Sequence, residues 1–407
     1  MLPTWPDVMK FDIPENPTIF DIGGFKGDWV QIAMDNYKNP TIHVFEPVKS
    51  FYEGIKRRWK NHPNVKVYNF GLSDKNREET ISIQGDSSSV FIKKGEMEVI
   101  KLRDIREFLI EENIFHVDLA KINIEGEEYR LMKYLTSTSE LNVFDNYLIQ
   151  FHTFIDNHIE KRQAIVDEMS NFYDRIFNYE FVFEGWSTKK IQKINCLGDS
   201  HVSSFANQPK LIKENQYSSN NSIHSYRFGP YLAYNLPEKQ NVIFEAKKIP
   251  KNENILFCFG EIDCRAQVKR ISENTGKSAN VVIDEIVKNY LSAIDSVGNE
   301  NAILFSVTPE LKEKPHWYYY KDHLESFDCP KGSLPERKSY KELFNLKIKE
   351  EAEKRGFKYV SIYNELLDKK GTPKEVYYLD DIHLESKKVM YLIKRSLLKS
   401  GLNEVKK

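Results

Sequence analysis

Cysteine is scarce: four residues in 407, at 196, 258, 264 and 329. They form no CxxC pair and no framework dense enough for a disulfide scaffold. Three of the four follow or interrupt apolar strand-like runs, where buried thiols are common. The histidines show no metal-ligand spacing and no cysteine pair suits zinc, so no metal is expected. An excess of one charge sign is missing as well. Lys and Arg number 59 against 60 Asp and Glu, a formal net charge of -1, so no global basic field points to nucleic acid. No apolar run reaches the length of a membrane span and no apolar signal segment opens the sequence, so a reducing cytoplasm is the expected setting. Internal repeats and low-complexity segments are absent, and nothing sets an oligomeric state. What remains, 40% hydrophobic and 29% charged residues, is the balance of a globular protein.

At 407 residues the chain exceeds one ordinary core. Its first 190 residues alternate strand and helix patterns. Strand-like runs at 18–22, 41–45, 65–70, 119–124 and 147–151 are interleaved with helical spacing at 28–37 and 51–59. Such alternation predicts parallel βαβ units and a doubly wound, Rossmann-like sheet. β-favouring residues from Glu79 to Ile92, around Gly85-Asp86, predict a hairpin inserted into that sheet. Gly185-Trp186-Ser187-Thr188-Lys189-Lys190 reads as a short polar link. The pattern then restarts, with strands at 194–197, 254–259, 302–307 and 358–362 and helices at 279–297, 336–354 and 385–399. The fold class is therefore α/β in two domains, residues 1–190 and a second, smaller layered domain over 191–407.

Asp21-Ile22-Gly23-Gly24-Phe25-Lys26-Gly27 closes the first strand and Glu46 ends the second. Glycines there let the backbone turn tightly and bring amide groups close to a ligand. An acid at the next strand end can accept both ribose hydroxyls. The spacing lacks the third glycine that supports a pyrophosphate, which favours S-adenosylmethionine over NAD. Two further blocks follow in order, Phe70-Gly71-Leu72-Ser73-Asp74 and Leu119-Ala120-Lys121-Ile122-Asn123-Ile124-Glu125-Gly126-Glu127-Glu128. Together, across about residues 18–186, they resemble the FkbM family of S-adenosylmethionine-dependent O-methyltransferases. The resemblance implies a class I methyltransferase sheet and methylation of a sugar or polyketide hydroxyl. It sets Asp21, Gly23 and Gly27 along the methionine and sugar of the cofactor and Glu46 on its ribose. Ser73, Asp74 and Asn123 complete the implied cofactor site, with Asn123 and Glu125 beside the sulfonium. Asn123 stands where the family usually has Asp, and Gln150 where it often has Glu. An amide cannot take a proton, so Glu125 and His152 are the candidate bases. Each also reads as structural, Glu125 as a helix cap and His152 as a hydrogen-bonded histidine.

At the midpoint an apolar run, Ile194 to Leu197, delivers Gly198-Asp199-Ser200-His201, and Asp380-Asp381-Ile382-His383 follows the last strand. A serine hydroxyl becomes a nucleophile once a histidine takes its proton and an acid orients that histidine. Asp380 and His383, three residues apart, can face one serine from a single turn. Another Gly-Asp-Ser, at Gly85-Asp86-Ser87, lacks this context. The blocks resemble the SGNH (GDSL-type) hydrolases across about residues 193–399. That resemblance implies a three-layer α/β domain, a catalytic set of Ser200, Asp380 and His383, and an oxyanion N–H from Gly229. Gly260-Glu261-Ile262-Asp263-Cys264-Arg265 falls where the family has Gly-x-Asn-Asp. Isoleucine cannot donate to an oxyanion, a loss of about 10²–10³ in rate, and Arg265 is the candidate to point into the same space. His316-Trp317-Tyr318-Tyr319-Tyr320 reads as a platform for a sugar ring or as loop packing. Lys189-Lys190 and Lys406-Lys407 read as solvated tails.

Taken together, the chain reads as a bifunctional glycan-modifying enzyme. One half would transfer methyl from S-adenosylmethionine to a sugar hydroxyl; the other would cleave an ester, acetyl first among them, on the same class of saccharide. The alternatives for the second half are an O-acyltransferase and a silent glycan-binding module, the latter favoured by Ile262.

Overall fold

Among the described residues, ten strands build the first half. They are Thr18–Ile22 (β1), Thr41–Phe45 (β2), Val65–Tyr68 (β3), Gly71–Ser73 (β4), Arg77–Ile83 (β5), Glu96–Asp104 (β6), Leu119–Ile122 (β7), Asn146–Ile149 (β8), Tyr173–Tyr179 (β9) and Phe183–Thr188 (β10). The computed structural model describes residues 4–83, 96–206, 217–220, 222–313 and 326–404. Seven strands form one sheet in the order β3-β2-β1-β7-β8-β10-β9. β7 and β8 are buried throughout and β1 and β2 nearly so, as strands covered on both faces must be. From β1 the chain builds β2 and β3 on one side, then returns to build β7 and β8 on the other. The C-terminal ends of β1 and β7 therefore make a topological switch point, the crevice where such sheets bind ligands.

Two readings of the sequence change here. The segment taken as a polar link is β10, an interior strand antiparallel to both β8 and β9. Its Trp186 pairs with Tyr147 and is 1% exposed. Polar Ser187 and Thr188 disguised a strand whose buried residues are Phe183, Glu184, Gly185 and Trp186. The hairpin, for its part, is not inserted as strands of the main sheet. Its arms, β5 and β6, pair antiparallel and join β4 in a separate three-stranded sheet of order β4-β6-β5. Gly85-Asp86-Ser87 lies outside the described residues.

The second half contains Ile194–Gly198 (β11), Tyr217–Asn220 (β12), Ile223–Arg227 (β13), Asn254–Cys258 (β14), Ala302–Phe305 (β15) and Lys358–Val360 (β16). They form one sheet, β12-β13-β11-β14-β15-β16, parallel except at β12. Leu197, Ile255, Phe257 and Leu304 face a core shared with the helices Gln240–Lys248, Val268–Thr275, Ala279–Val297 and Leu334–Arg355. On the other face Phe205 meets Phe305 edge-on at 4.8 Å, and the helix Ser386–Lys399 packs on the Ser200–Phe205 turn. The result is an α/β three-layer arrangement. Its sheet is smaller than the first by one strand, but its stretch of chain is longer, not shorter.

The chain divides into units Met1–Lys189 and Lys190–Lys407. Local bonds explain the joint. Lys189 N–H donates to the Phe172 carbonyl, whereas the Lys190 carbonyl accepts from Glu404 and Gln192 N–H donates to Leu402. Among the described residues no helix is long and apolar enough to cross a membrane.

Candidate active sites

In the first unit a cavity of about 240 Å³ opens at the β1/β7 switch point. Gly23 and Gly24 form its floor for steric reasons. A Cβ on Gly23, at φ +92°, would lie 1.9 Å from the Asn123 carbonyl oxygen, and one on Gly24 would lie 2.4 Å from Val44. Glu46 lines the cavity, its Oε2 accepting Phe25 N–H at 2.7 Å and its Oε1 accepting Val48 N–H at 2.8 Å. Burial outweighs those two bonds and raises the Glu46 pKa to about 7. Asn123 and Glu125 line the far side, and Asn123 Oδ1 is buried without a hydrogen-bond partner among the described residues. The three-stranded sheet supplies an apolar wall of Leu72, Ile81, Ile100 and Leu102.

Asp21 and Gly27, expected along the cofactor, are not in that lining. Asp21 is fully buried behind it and ion-paired at 2.9 Å with Lys121, whose Nζ also donates to the Gly23 carbonyl at 2.6 Å. Lys121 does line the cavity, and Asp21 stands behind it as its ion-pair partner. A cation inside an apolar strand run was the available signal. Gly27, at φ +77°, instead caps the helix Asp28–Asn36, and a Cβ there would press on Trp59 and Ile55. Ser73 and Asp74 likewise sit outside the lining, gathered by Arg77, which donates to Ser73 at 2.9 Å and Asp74 at 2.7 Å and pairs with Glu127. Glu127 is the member of that cluster that lines the cavity.

His152 is fixed between two carboxylates. Its Nδ1 lies 3.0 Å from Glu128 Oε1 and its Nε2 3.3 Å from Glu125 Oε1. Burial lowers its proton affinity, but the bonds to Glu125 and Glu128 outweigh that and lift the pKa to about 9. At neutral pH this imidazole already carries its proton, so it does not fit the expected role of base. Glu125, held in the left-handed region at φ +52°, keeps a carboxylate at the cavity. Strained non-glycine backbone of this kind clusters at functional sites.

In the second unit β11 is the switch strand. Gly198 pairs with Arg227 on one side and Cys258 on the other, so Ser200, Gly229 and Gly260 all lie two residues beyond one rung of the sheet. There His383 Nε2 is 2.8 Å from Ser200 Oγ, and His383 Nδ1 is 2.8 Å from Asp380 Oδ2. Asp380 Oδ1 also accepts the N–H groups of Ile382 and His383, both at 2.8 Å. Burial works against the Asp380 carboxylate, yet His383 and those N–H groups prevail and hold its pKa well below the usual range. Nδ1–H facing Asp380 leaves Nε2 as the acceptor for the serine proton.

Arg265 does not serve the oxyanion as expected. Its guanidinium is buried on Glu261 at 3.0 Å and on the Asp328 carbonyl. Ile262 is 2% exposed. Asp263, unassigned by sequence reasoning, accepts the N–H groups of Ala233 at 2.8 Å and Tyr234 at 3.0 Å, anchoring the loop that begins at Gly229. Burial lifts its pKa to about 7. The residues 316–320 and 406–407 lie outside the described residues. One His-Asp-Asp group, His116, Asp118 and Asp145, brings ligand atoms within 4.8 Å. His116 and Asp145 bond each other and Asp118 holds Thr18 N–H, at the sheet end away from the cavity.

No family model and no curated protein matches the chain. Among solved structures, a GDSL-like lipase from Bacteroides thetaiotaomicron is 14% identical, covering 52% of this chain and 89% of that one at a TM-score of 0.32. A variant of a Geobacillus acetyl-xylooligosaccharide esterase is 16% identical, covering 54% and 98% at a TM-score of 0.34. A protein assigned as an rRNA methylase from Clostridium thermocellum is 10% identical, covering 45% and 92% at a TM-score of 0.28.

Proposed function

We propose that the chain is a bifunctional glycan-modifying enzyme, a serine esterase in residues 190–407 and an S-adenosylmethionine-dependent O-methyltransferase in residues 1–189. The observation that carries the reading is the hydrogen-bonded line Asp380–His383–Ser200, which spans 183 positions of sequence. As Ser200 Oγ attacks an acyl carbonyl, its proton passes to His383 Nε2, and Asp380 stabilises the imidazolium. That proton then goes to the leaving alkoxide as the C–O bond breaks, and water reverses the sequence to free the serine. Gly229 N–H, at the same sheet edge, is the donor for the oxyanion. Labelling by a fluorophosphonate in wild type and not in Ser200→Ala is the expected result. Equal labelling of both removes Ser200 as nucleophile.

The first cavity fits S-adenosylmethionine. Each Glu46 oxygen holds one backbone N–H and keeps a lone pair for a ribose hydroxyl. Gly23 and Gly24 leave room for a ligand against the backbone, and Asn123 Oδ1 has no hydrogen-bond partner among the described residues. When bound, the cofactor supplies an electrophilic methyl group. Glu125 accepts the proton of the acceptor hydroxyl, while the His152 imidazolium and Glu128 hold Glu125 in place. Placement contributes more than basicity in such a transfer. Methylation of a saccharide panel tests this half. Tight NAD binding by the protein overturns it.

Ile262, apolar and buried where an oxyanion donor is usual, favours a second reading in which the ester site is silent and binds glycans only. Aryl acetate turnover with and without a saccharide acceptor separates hydrolysis, acyl transfer and silence.

A further inference from the structure

Ser200 is followed directly by a second histidine that the acyl chemistry above does not use. His201 is buried, and its ring stacks on that of His383, with centroids 4.8 Å and planes 30° apart. Its Nδ1 lies 3.0 Å from Asp199 Oδ1, and its Nε2 lies 3.5 Å from Glu261 Oε2. Both carboxylates are themselves buried. Glu261 is backed by Arg265 and Lys341, Lys341 bridges to Glu310, and Glu310 takes Arg337. The charged groups facing the ring pair thus come from several elements. Asp199 belongs to the serine turn, Glu261 and Arg265 to the segment after β14, Lys341 to the helix Leu334–Arg355 and Asp380 to the loop carrying His383. Asp199 hydrogen-bonds His201, Glu261 stands within ion-pair distance of its Nε2, and Arg265 and Lys341 are themselves paired with Glu261.

We propose that His201 is a positioning residue, held as an imidazolium between Asp199 and Glu261, whose charge against the face of His383 keeps that ring in its neutral, proton-accepting form. This rests on the reading of Ser200 as nucleophile. Burial lowers the proton affinity of both rings. Glu261 and Asp199 reverse that for His201, whereas its charge adds to burial at His383, whose pKa falls below the ordinary histidine value. The charge acts twice in a turnover. It keeps His383 Nε2 free to take the Ser200 proton, and it drives that same proton onward to the leaving oxygen. His201 exchanges no proton in either step.

Imidazole ¹⁵N NMR of the full chain reads this directly. At pH 7 His201 is expected to be doubly protonated and His383 neutral, with a midpoint below that of free histidine. In His201→Gln the His383 midpoint is expected to rise by about one pH unit, a tenfold change in proton binding. The pH profile of fluorophosphonate labelling at Ser200 should move up with it, which loss of packing alone would not produce. A neutral His201 at pH 7 in wild type overturns the proposal, and that reading needs no variant to fold. So does an unmoved His383 midpoint in His201→Gln. If the midpoints behave as expected but Ser200 is never labelled, the paired rings stand and the nucleophile reading, with the catalytic use of the charge, falls.

Discussion

Glu46 and Asp263 are both buried carboxyl groups whose oxygens each hold one backbone N–H, and burial lifts both to a pKa of about 7. The consequences differ because Glu46 lines a cavity whereas Asp263 holds backbone N–H groups of its own chain. In the proposed function Glu46 would accept ribose hydroxyls, best as a carboxylate. S-adenosylmethionine affinity should therefore fall as pH drops below about 7, and Glu46→Gln should weaken it by about 1–3 kcal/mol and flatten that dependence. Calorimetry at pH 6 and 8 checks both. Asp263 acts on stability instead. Its pKa of about 7 lies above the ordinary aspartate value of 3.8, so between those limits the folded state holds a proton that the unfolded state has lost. Stability is then greatest below that window and falls as pH rises through it. Asp263→Asn should lose about 1 kcal/mol with one N–H bond yet decline less between pH 5 and 8 in urea unfolding. Its ester turnover should drop as the Gly229 loop loosens.

At the scale of elements, the ends of β1 and β7 approach so closely that only glycine fits between them. Gly23→Ala combines a positive φ with a Cβ 1.9 Å from backbone oxygen, so a loss of about 3–5 kcal/mol and a collapsed cavity are expected. Thermal unfolding with a cofactor titration measures both. This glycine was legible in the sequence, because a tight turn after an apolar strand announces itself. So were most parallel strands and the long helices, whose apolar runs and 3.6-residue spacing need no partner to be recognised. β10 was not. Gly185-Trp186-Ser187-Thr188 alternates with no clean apolar face, and only the neighbouring β8 and β9 make it an interior strand. The buried ions were hidden for the same reason. Lys341, Arg337 and Glu310 look like solvated charges until residues up to 80 positions apart are brought together. Ser200, Asp380 and His383 could be picked out because each carries a short local pattern; His201 and Asp263 sat inside those patterns without a role to mark them.

For the whole molecule, two sheets with separate cores predict two unfolding events. Fragments 1–189 and 190–407 should each fold, and their transitions should sum to that of the full chain in calorimetry. One shared transition, with both fragments insoluble, contradicts this. The division also sets an order in time. Synthesis proceeds at about 5–20 residues per second, and the first unit has all its described strands once residue 188 has emerged. The proposed ester site matures differently. β11 is the first strand of its sheet to be made and lies in its interior, so Ser200 is in place early, 183 positions before His383. For roughly 10–40 s on the ribosome its hydroxyl is an ordinary alcohol. On the proposed function, the growing chain therefore carries one half ready for S-adenosylmethionine while the other cannot yet attack any ester in reach.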